Sequence, residues 1–534
     1  MVPCVIFEDE HLLVVNKLAG MNTHAPSPYA GEGIYDWLRH RESRWSKLAI
    51  IHRLDKETSG VIVFGKTPLA NRSLTEQFTN RSVHKKYLLL TDRPPKRNDP
   101  VVKSKIIRAG DHYVSSPQGE PAETHFKSVG TDASGRHIIE AEPLTGRTHQ
   151  IRVHAAESGF PILGDTLYGG SPFPRVCLHA AEITFQHPQT NEQVTFHATP
   201  DFASDSREQL RELLIDPNET TACRLIHGAS DGWPGWYVDR LGDFLLSQSE
   251  TPLNARQQSH LAQIGAPVRG VYHKTLSRHV RGASAADTSP QLALGEAAPD
   301  RFTIRENGIQ FELSFNEGYS VGIFLDQRDN RRRLLTSHIA PDFPLLPTFH
   351  VSRFTQHVTR NTELLNVFAY TCAFSACAAK AGLKTTSLDL SKKYLEWGKR
   401  NFILNDLDPA QHNFIFGDAF DWMRRLAKKG RAFDIIVLDP PTFSQSKERG
   451  VFRVEKNYGE LISTALPLLK PNGVLLASTN AADWPPEKFL TAVETSIRAA
   501  KRKILQQHYA PQPPDFPVSR NEPAYLKTVW MRLS

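Results

Sequence analysis

The chain is expected to be multidomain. It should pair an α+β, mixed β-rich unit with a small β-rich middle and a doubly wound, Rossmann-like α/β sheet. Three observations predict this. Its 534 residues exceed what one core organises, since domains hold about 100–200 residues. Hydrophobic residues at 40% and charged residues at 23% suit a globular chain and exclude a disordered or fibrous one. The rhythm of apolar runs also changes along the chain, from short runs broken by turn residues to alternating strand and helix.

Taken in order, Leu12–Val15, Val61–Phe64, Tyr87–Leu90 and His137–Glu140 read as short strands, which makes residues 1–200 a mixed, β-rich domain. Gln193–His197 reads as a further strand, and Thr199–Cys223, with Pro, Asp, Asn and one short helical pattern, predicts a linker at 201–221. A central domain follows at 222–335, containing Gly282–Asp300, rich in Ala, Ser and Pro and expected to be a flexible loop. Pro341–Pro347 punctuates the chain again near the start of the last domain, 336–534. There Leu364–Phe368 reads as a strand, Phe374–Ala381 as a helix, Thr385–Asp389 as a strand and Lys392–Leu404 as a helix. Ile435–Asp439 and Gly473–Ser478 read as further strands. Strand and helix in alternation mean a parallel sheet with ligands at the strands' carboxyl ends. No internal repeat occurs.

No run of about 18 apolar residues is present, and the acidic start MVPCVIFEDEHLL is unlike a signal peptide. A soluble cytoplasmic protein without membrane partners is expected. Five cysteines at 4, 177, 223, 372 and 377 form neither a disulfide framework nor paired zinc spacing, so no metal is expected. The net charge is +7, but residues 1–215 hold 25 acids and 25 bases, so all the surplus lies beyond them. Local basic clusters occur at Arg81–Lys86, Arg331–Arg333, Arg424–Arg431 and Arg498–Lys503; singly, each reads as a solvated face.

His52-Arg-Leu-Asp-Lys-Glu-Thr-Ser-Gly60 lies between apolar runs and is therefore presented from a loop. Arg53 and Lys56 flank Asp55, and either keeps a carboxylate ionised by proximity. Leu144–His154 is dense in Arg147, His149, Arg152 and His154. Read as a strand, it places Arg152 and His154 on one face, suited to an acid or a phosphate. Locally, a surface loop with one ion pair explains as much. Together with Lys85-Lys-Tyr87, Pro161–Asp165 and Tyr168-Gly169, however, these segments resemble, in order, the RluA-type RNA pseudouridine synthases. The resemblance implies that Asp55 is the nucleophile that attacks uridine while the base detaches, turns and rejoins through carbon. It implies that Tyr87 stacks on the base and serves in the C5 proton transfer, that Arg152 pairs with Asp55, and that Arg53 helps displace the base. Arg147 and His149 are expected to contact RNA. Such a reaction needs a carboxylate and a shaped pocket but no cofactor, and a base within a helix must first be flipped out. The small RNA-binding module that opens many relatives is not expected here, so RNA capture falls to the catalytic domain or to the rest of the chain.

In the last domain Phe368–Ser375 is a turn of small residues before a helix, the kind of turn that lets backbone N–H groups approach a ligand. Asp389 ends the second strand, where an acid bonds ribose hydroxyls. Gly417-Asp418-Ala-Phe420 offers an acid and an aromatic for an adenine, and Asp439-Pro-Pro-Thr-Phe443 closes the fourth strand. Any one of these alone reads as a helix cap. Their order resembles class I S-adenosylmethionine-dependent methyltransferases, and more narrowly the RlmI and RlmK rRNA enzymes. Arg224–Asp243 is similar to the RlmI central β-rich domain, and Gly318–Arg331 to that family's FLDQR segment. By resemblance, Asp326, Gln327 and Arg328 lie near the cofactor, with Arg328 engaging its carboxylate. Tyr370, Thr371 and Phe374 belong to the cofactor loop, Asp389 contacts the ribose and Asp418 the adenine side. Asp439, Pro440, Pro441 and Phe443 face the methyl group and the target base.

Two departures from the family pattern stand out. Cys372 replaces a common glycine, and the DPPTF segment lacks a cysteine, which weighs against the two-thiol route to 5-methylcytosine. Cys372 and Cys377 read as small buried residues. Asp439–Lys447 is nearer the RlmK-type segment, which favours guanine N7 over cytosine C5. The expected partner is therefore RNA, with large-subunit rRNA favoured, and the expected protein a bifunctional modification enzyme. The alternative is that one half is only an RNA-binding platform.

Overall fold

The computed structural model describes residues 2–97, 100–203, 206–265, 268–276, 289–318, 320–346, 362–446 and 450–534. Residues 282–288 and 347 of the two expected breaks, together with Tyr319 and Lys447, lie outside the described residues. The chain forms two compact units, residues 1–26, 32–39 and 44–216, and residues 27–31, 40–43 and 217–534. Among the described residues no helix is long and apolar enough to cross a membrane.

The first unit is built on an eleven-stranded sheet. Its main path runs Val5–Glu8, Leu12–Lys17, Ser59–Gly65, Leu178–Gln186, His84–Thr91, His137–Pro143, Glu120–Thr131, Val101–Ala109 and His112–Ser115. Ser59–Gly65 is buried at all seven residues, so its sequence, SGVIVFG, reads as a continuous apolar run rather than an alternation. It runs parallel to Leu178–Gln186, with Gly60 opposite Ala180. Gly60 has φ 115°, and a Cβ there would lie 2.2 Å from the Ala180 carbonyl oxygen. Only glycine permits that approach.

One sequence expectation is corrected in this unit. Gln150–Glu157 is a helix, not a strand, so Arg152 and His154 diverge around it. The apolar alternation at Ile151 and Val153 imitates a strand because both faces of this short helix are buried. Within 201–221 a helix, Ser206–Leu214, packs on the unit: Leu214 is buried in a cluster with Val2 and Cys4, and Cys4 N–H donates to the Leu213 carbonyl at 2.9 Å.

The second unit holds two larger sheets. A five-stranded sheet runs in chain order through Ala222–His227, Trp236–Leu241, Phe244–Ser249, Gly270–Thr275 and Gln291–Gly295. Its one parallel pair, Phe244–Ser249 with Gly270–Thr275, is bridged by the helix Ala255–Ile264, which a capping box at Asn254 and Gln257 starts. The seven-stranded sheet runs Asn413–Phe416, Lys384–Asp389, Glu363–Val367, Phe433–Leu438, Leu469–Thr479, Lys527–Leu533 and Ile504–Ala510. Its first five strands are mutually parallel, and Lys527–Leu533 is antiparallel to both of its neighbours. The chain order reverses at Glu363–Val367, whose neighbours are the second and fourth strands of the sheet in sequence. Such a switch point opens a crevice at the carboxyl ends.

Candidate active sites

In the first unit Asp55 lies in the loop that leads into Ser59–Gly65. That loop is held by a residue that no motif marks. Lys17, fully buried, donates from Nζ to the carbonyls of Leu18 and Met21 at 2.7 Å each and of Lys56 at 3.3 Å. Burial pushes its ammonium down to about 7, against the pull of Glu57 and Asp55. The one available signal was a lysine closing the apolar strand LLVVNK. Thr23 Oγ1 donates to the Leu54 carbonyl at 2.9 Å and accepts from Leu54 N–H at 3.2 Å.

The cleft above the loop holds about 650 Å³ and is lined by Arg53, Asp55, Tyr87, Arg147 and Arg152 among others. Desolvation first, and then the Asp55 charge, raise the Tyr87 phenol above its usual range. His52 stacks on Phe78 at 4.8 Å, and burial pushes its imidazole down to about 3, leaving it neutral.

Arg152 does not spend its fork on Asp55. Its Nε and Nη2 donate to the two oxygens of Asp165 at 2.6 and 2.7 Å, and Nη1 meets His149 Nε2 at 3.1 Å. Asp165 is almost fully buried, and a planar fork satisfies a buried carboxylate better than a single contact does. Asp55 still acts on Arg152 through its field. His149 is likewise turned inward: it takes φ 57° at the helix start, and its Nδ1 lies 2.8 Å from the Tyr168 hydroxyl. Arg147 stays partly exposed, with Nε donating to the Pro121 carbonyl at 3.2 Å. His154 bonds Thr124 and Ser104 at 2.8 and 2.9 Å.

The second site is a cavity of about 560 Å³ at the carboxyl ends of the parallel strands. Asp326, Gln327, Tyr370, Asp389, Asp418, Asp439, Pro440, Pro441 and Phe443 all line it, which is most of the expected set. Asp389 accepts from Tyr370 N–H and Ser391 N–H at 2.8 Å each, so it orders the loop that follows the neighbouring strand. Asp418 caps the helix Ala419–Lys428, its Oδ1 accepting from Phe420 N–H at 3.0 Å and Asp421 N–H at 3.1 Å. Asp439 is bonded by Ser478 and Gln327, but burial, and then the Asp326 charge, push its carboxyl up to about 7. Burial raises Asp326 as well.

Three expected members face elsewhere. Arg328 makes a buried fork with Asp515 at 2.8 and 2.5 Å. Thr371 is buried and donates to the Gly322 carbonyl at 2.6 Å. Phe374 packs in a core cluster with Leu364 and Trp530. The loop itself alternates left-handed backbone at Phe368, Tyr370 and Cys372, with φ 63°, 49° and 60°; Phe368 and Tyr370 line the cavity and Thr371 does not. Such backbone costs about 1–3 kcal/mol per residue and persists where the surroundings enforce it.

Four aspartates line this cavity and, among the described residues, no lysine, arginine or histidine does. Asp326 Oδ1 is buried without a hydrogen-bond partner. A wall of acids with an unsatisfied oxygen fits a ligand that carries positive charge and donors, as S-adenosylmethionine does.

The fold and the two sites define an RNA pseudouridine synthase joined to a methyltransferase. Residues 11–157 match the family profile of RNA pseudouridylate synthase, and residues 345–532 that of S-adenosylmethionine-dependent methyltransferase. The chain belongs to both families. Over 357 residues it is 31% identical to the ribosomal RNA large subunit methyltransferase of Deinococcus radiodurans, covering 65% of this chain and 81% of that one. Over 216 residues it is 37% identical to the ribosomal large subunit pseudouridine synthase D of Zymomonas mobilis, covering 36% and 68%. The crystal structure of SMU.776 complexed with SAH superposes with a TM-score of 0.51 at 29% identity, covering 66% of this chain and 87% of that one.

Proposed function

We propose that this polypeptide performs two modifications of large-subunit rRNA. It isomerises uridine to pseudouridine with Asp55 as nucleophile, and it methylates a base, guanine N7, with S-adenosylmethionine as donor. We assign the first reaction to residues 1–200 and the second to 336–534, with the β-rich 222–335 between them. The observation that carries the reading is the gathering of each motif set at its own cleft, Asp55 with Tyr87 and Arg53, and Asp439 with Asp326 and Asp389.

In the first cleft Asp55 forms a bond to the uridine as the base–sugar bond breaks. Tyr87, its phenol raised, meets the base as a neutral ring at neutral pH. Arg152, fixed by Asp165, adds positive field beside the nucleophile. In the second cleft S-adenosylmethionine would supply a methyl group on positively charged sulfur, and that charge would draw the raised carboxyls of Asp326, Asp389 and Asp439 toward ionisation. Pro440, Pro441 and Phe443 offer the base an apolar lip. Guanine N7 is already nucleophilic, so positioning suffices. The cysteines support N7 over cytosine C5: all five are buried, none lines the cavity, and burial pushes the Cys372 and Cys377 thiols up to about 12.

Nucleoside mass spectrometry of rRNA from cells lacking the gene, complemented with wild type or Asp55→Asn, tests the proposal. Asp55→Asn is expected to abolish the enzyme's pseudouridine and leave its 7-methylguanosine. Full pseudouridine in that variant, or 5-methylcytidine as the methylated product, overturns the corresponding half.

A further inference from the structure

The first unit has a second depression, of about 570 Å³, beside the Asp55 cleft, and Thr145 lines both. Its walls carry Arg81, Lys103 and Lys105 against a single acid, Glu123. Lys103 and Lys105 lie two apart on the strand Val101–Ala109, so they share a face, and they stand in register opposite Glu123 and Pro121. Arg81 enters after the helix Pro68–Thr79 with φ 58°. Glu123 is already engaged, by Lys103 at 3.2 Å and by His125 at 2.9 Å. Among the described residues the side chains of Arg81 and Lys105 have no ion-pair partner. Arg147 stands at the junction: it lines the catalytic cleft, while its Nε holds the carbonyl of Pro121, a residue of the groove.

We propose that this groove is the track for the sugar–phosphate backbone of the RNA strand whose uridine enters the Asp55 cleft. Arg81 and Lys105 neutralise phosphates along it, and Arg147, whose Nη2 already pairs with Glu120 at 3.2 Å, marks where it opens into the catalytic cleft. Residues 1–215 balance 25 acids against 25 bases, so this unit has no general attraction for a polyanion and depends on where its cations lie. Backbone contacts set register rather than base identity, so the groove decides which nucleotide faces Asp55.

The inference rests on the synthase reading, and its test separates the two. In the full-length protein, Arg81→Ala with Lys105→Ala is compared with wild type and with Lys127→Ala, an exposed lysine outside the groove. Pseudouridine formation on an rRNA fragment is followed across KCl concentration. The double variant is expected to raise KM about tenfold with kcat within about twofold, and to flatten the log–log salt dependence by about 1.4, since each single-strand phosphate contact adds about 0.7. Lys127→Ala is expected to match wild type. An unchanged KM and salt slope, or a fall in kcat alone, overturns the groove. Filter binding of the same RNA to the Asp55→Asn protein, with and without the two alanines, reads the groove without chemistry. Equal binding overturns it even if the synthase reading itself fails.

Discussion

Asp439 shows a single residue held against its own chemistry. Below its ordinary value of 3.8 the carboxyl is protonated in both the folded and the unfolded chain. Between 3.8 and about 7 the unfolded chain releases a proton that the folded one keeps, so this group's contribution to stability falls as pH rises through that window. Asp439→Asn removes that penalty. The variant should gain on wild type by ~2–4 kcal/mol between pH 4 and pH 8, read as a growing difference in thermal midpoint, while methylation is lost. A difference that does not vary with pH contradicts the buried-acid account. The sequence placed Asp439 correctly at a strand end, because the DPPTF segment and the apolar run before it are both local. It did not reveal the buried partners of Arg152 and Arg328, Asp165 and Asp515, which lie 13 and 187 residues away. Local spacing carries no information about such pairs, and a buried arginine looks the same in sequence as one awaiting a ligand.

Elements meet closely where the helix Lys392–Ile403 passes the cofactor loop. A Cβ on Gly398 would lie 2.3 Å from Cys372 Sγ. Gly398→Ala should therefore displace the loop at a cost of about 1–3 kcal/mol and weaken S-adenosylmethionine binding about tenfold by calorimetry, since Tyr370 shares that loop. Pseudouridine formation should be untouched. Adding Cys372→Gly removes the sulfur and relieves the left-handed backbone together, so the double variant should recover binding. A double variant as weak as the single one sinks the steric explanation. The βα rhythm of this region was legible because each strand is a buried apolar run, as at Phe433–Leu438. The helix Gln150–Glu157 was not, because a helix buried on all sides loses the period of 3.6 by which it is recognised.

Across the whole chain, charge and chemistry are unevenly shared. Beyond residue 215 there are 39 bases against 32 acids, while the part before it is balanced. The synthase family match, residues 11–157, precedes the methyltransferase match, residues 345–532, in the chain. A chain beginning at Pro217 leaves the helix Ser206–Leu214 with the first unit and of the second unit loses only residues 27–31 and 40–43, so it should still bind S-adenosylmethionine. It should methylate rRNA with kcat/KM lower by about tenfold, measured on the same transcript, in line with a few lost phosphate contacts. Equal methylation would mean that the two reactions share a polypeptide and nothing more. The Asp55 loop adds a last consequence. Its roots are the fully buried Lys17 ammonium and the strand Ser59–Gly65 in the interior of the sheet, so it is no mobile flap. Its opening is tied to the melting of the sheet itself, and the nucleophile is as long-lived in its place as the fold.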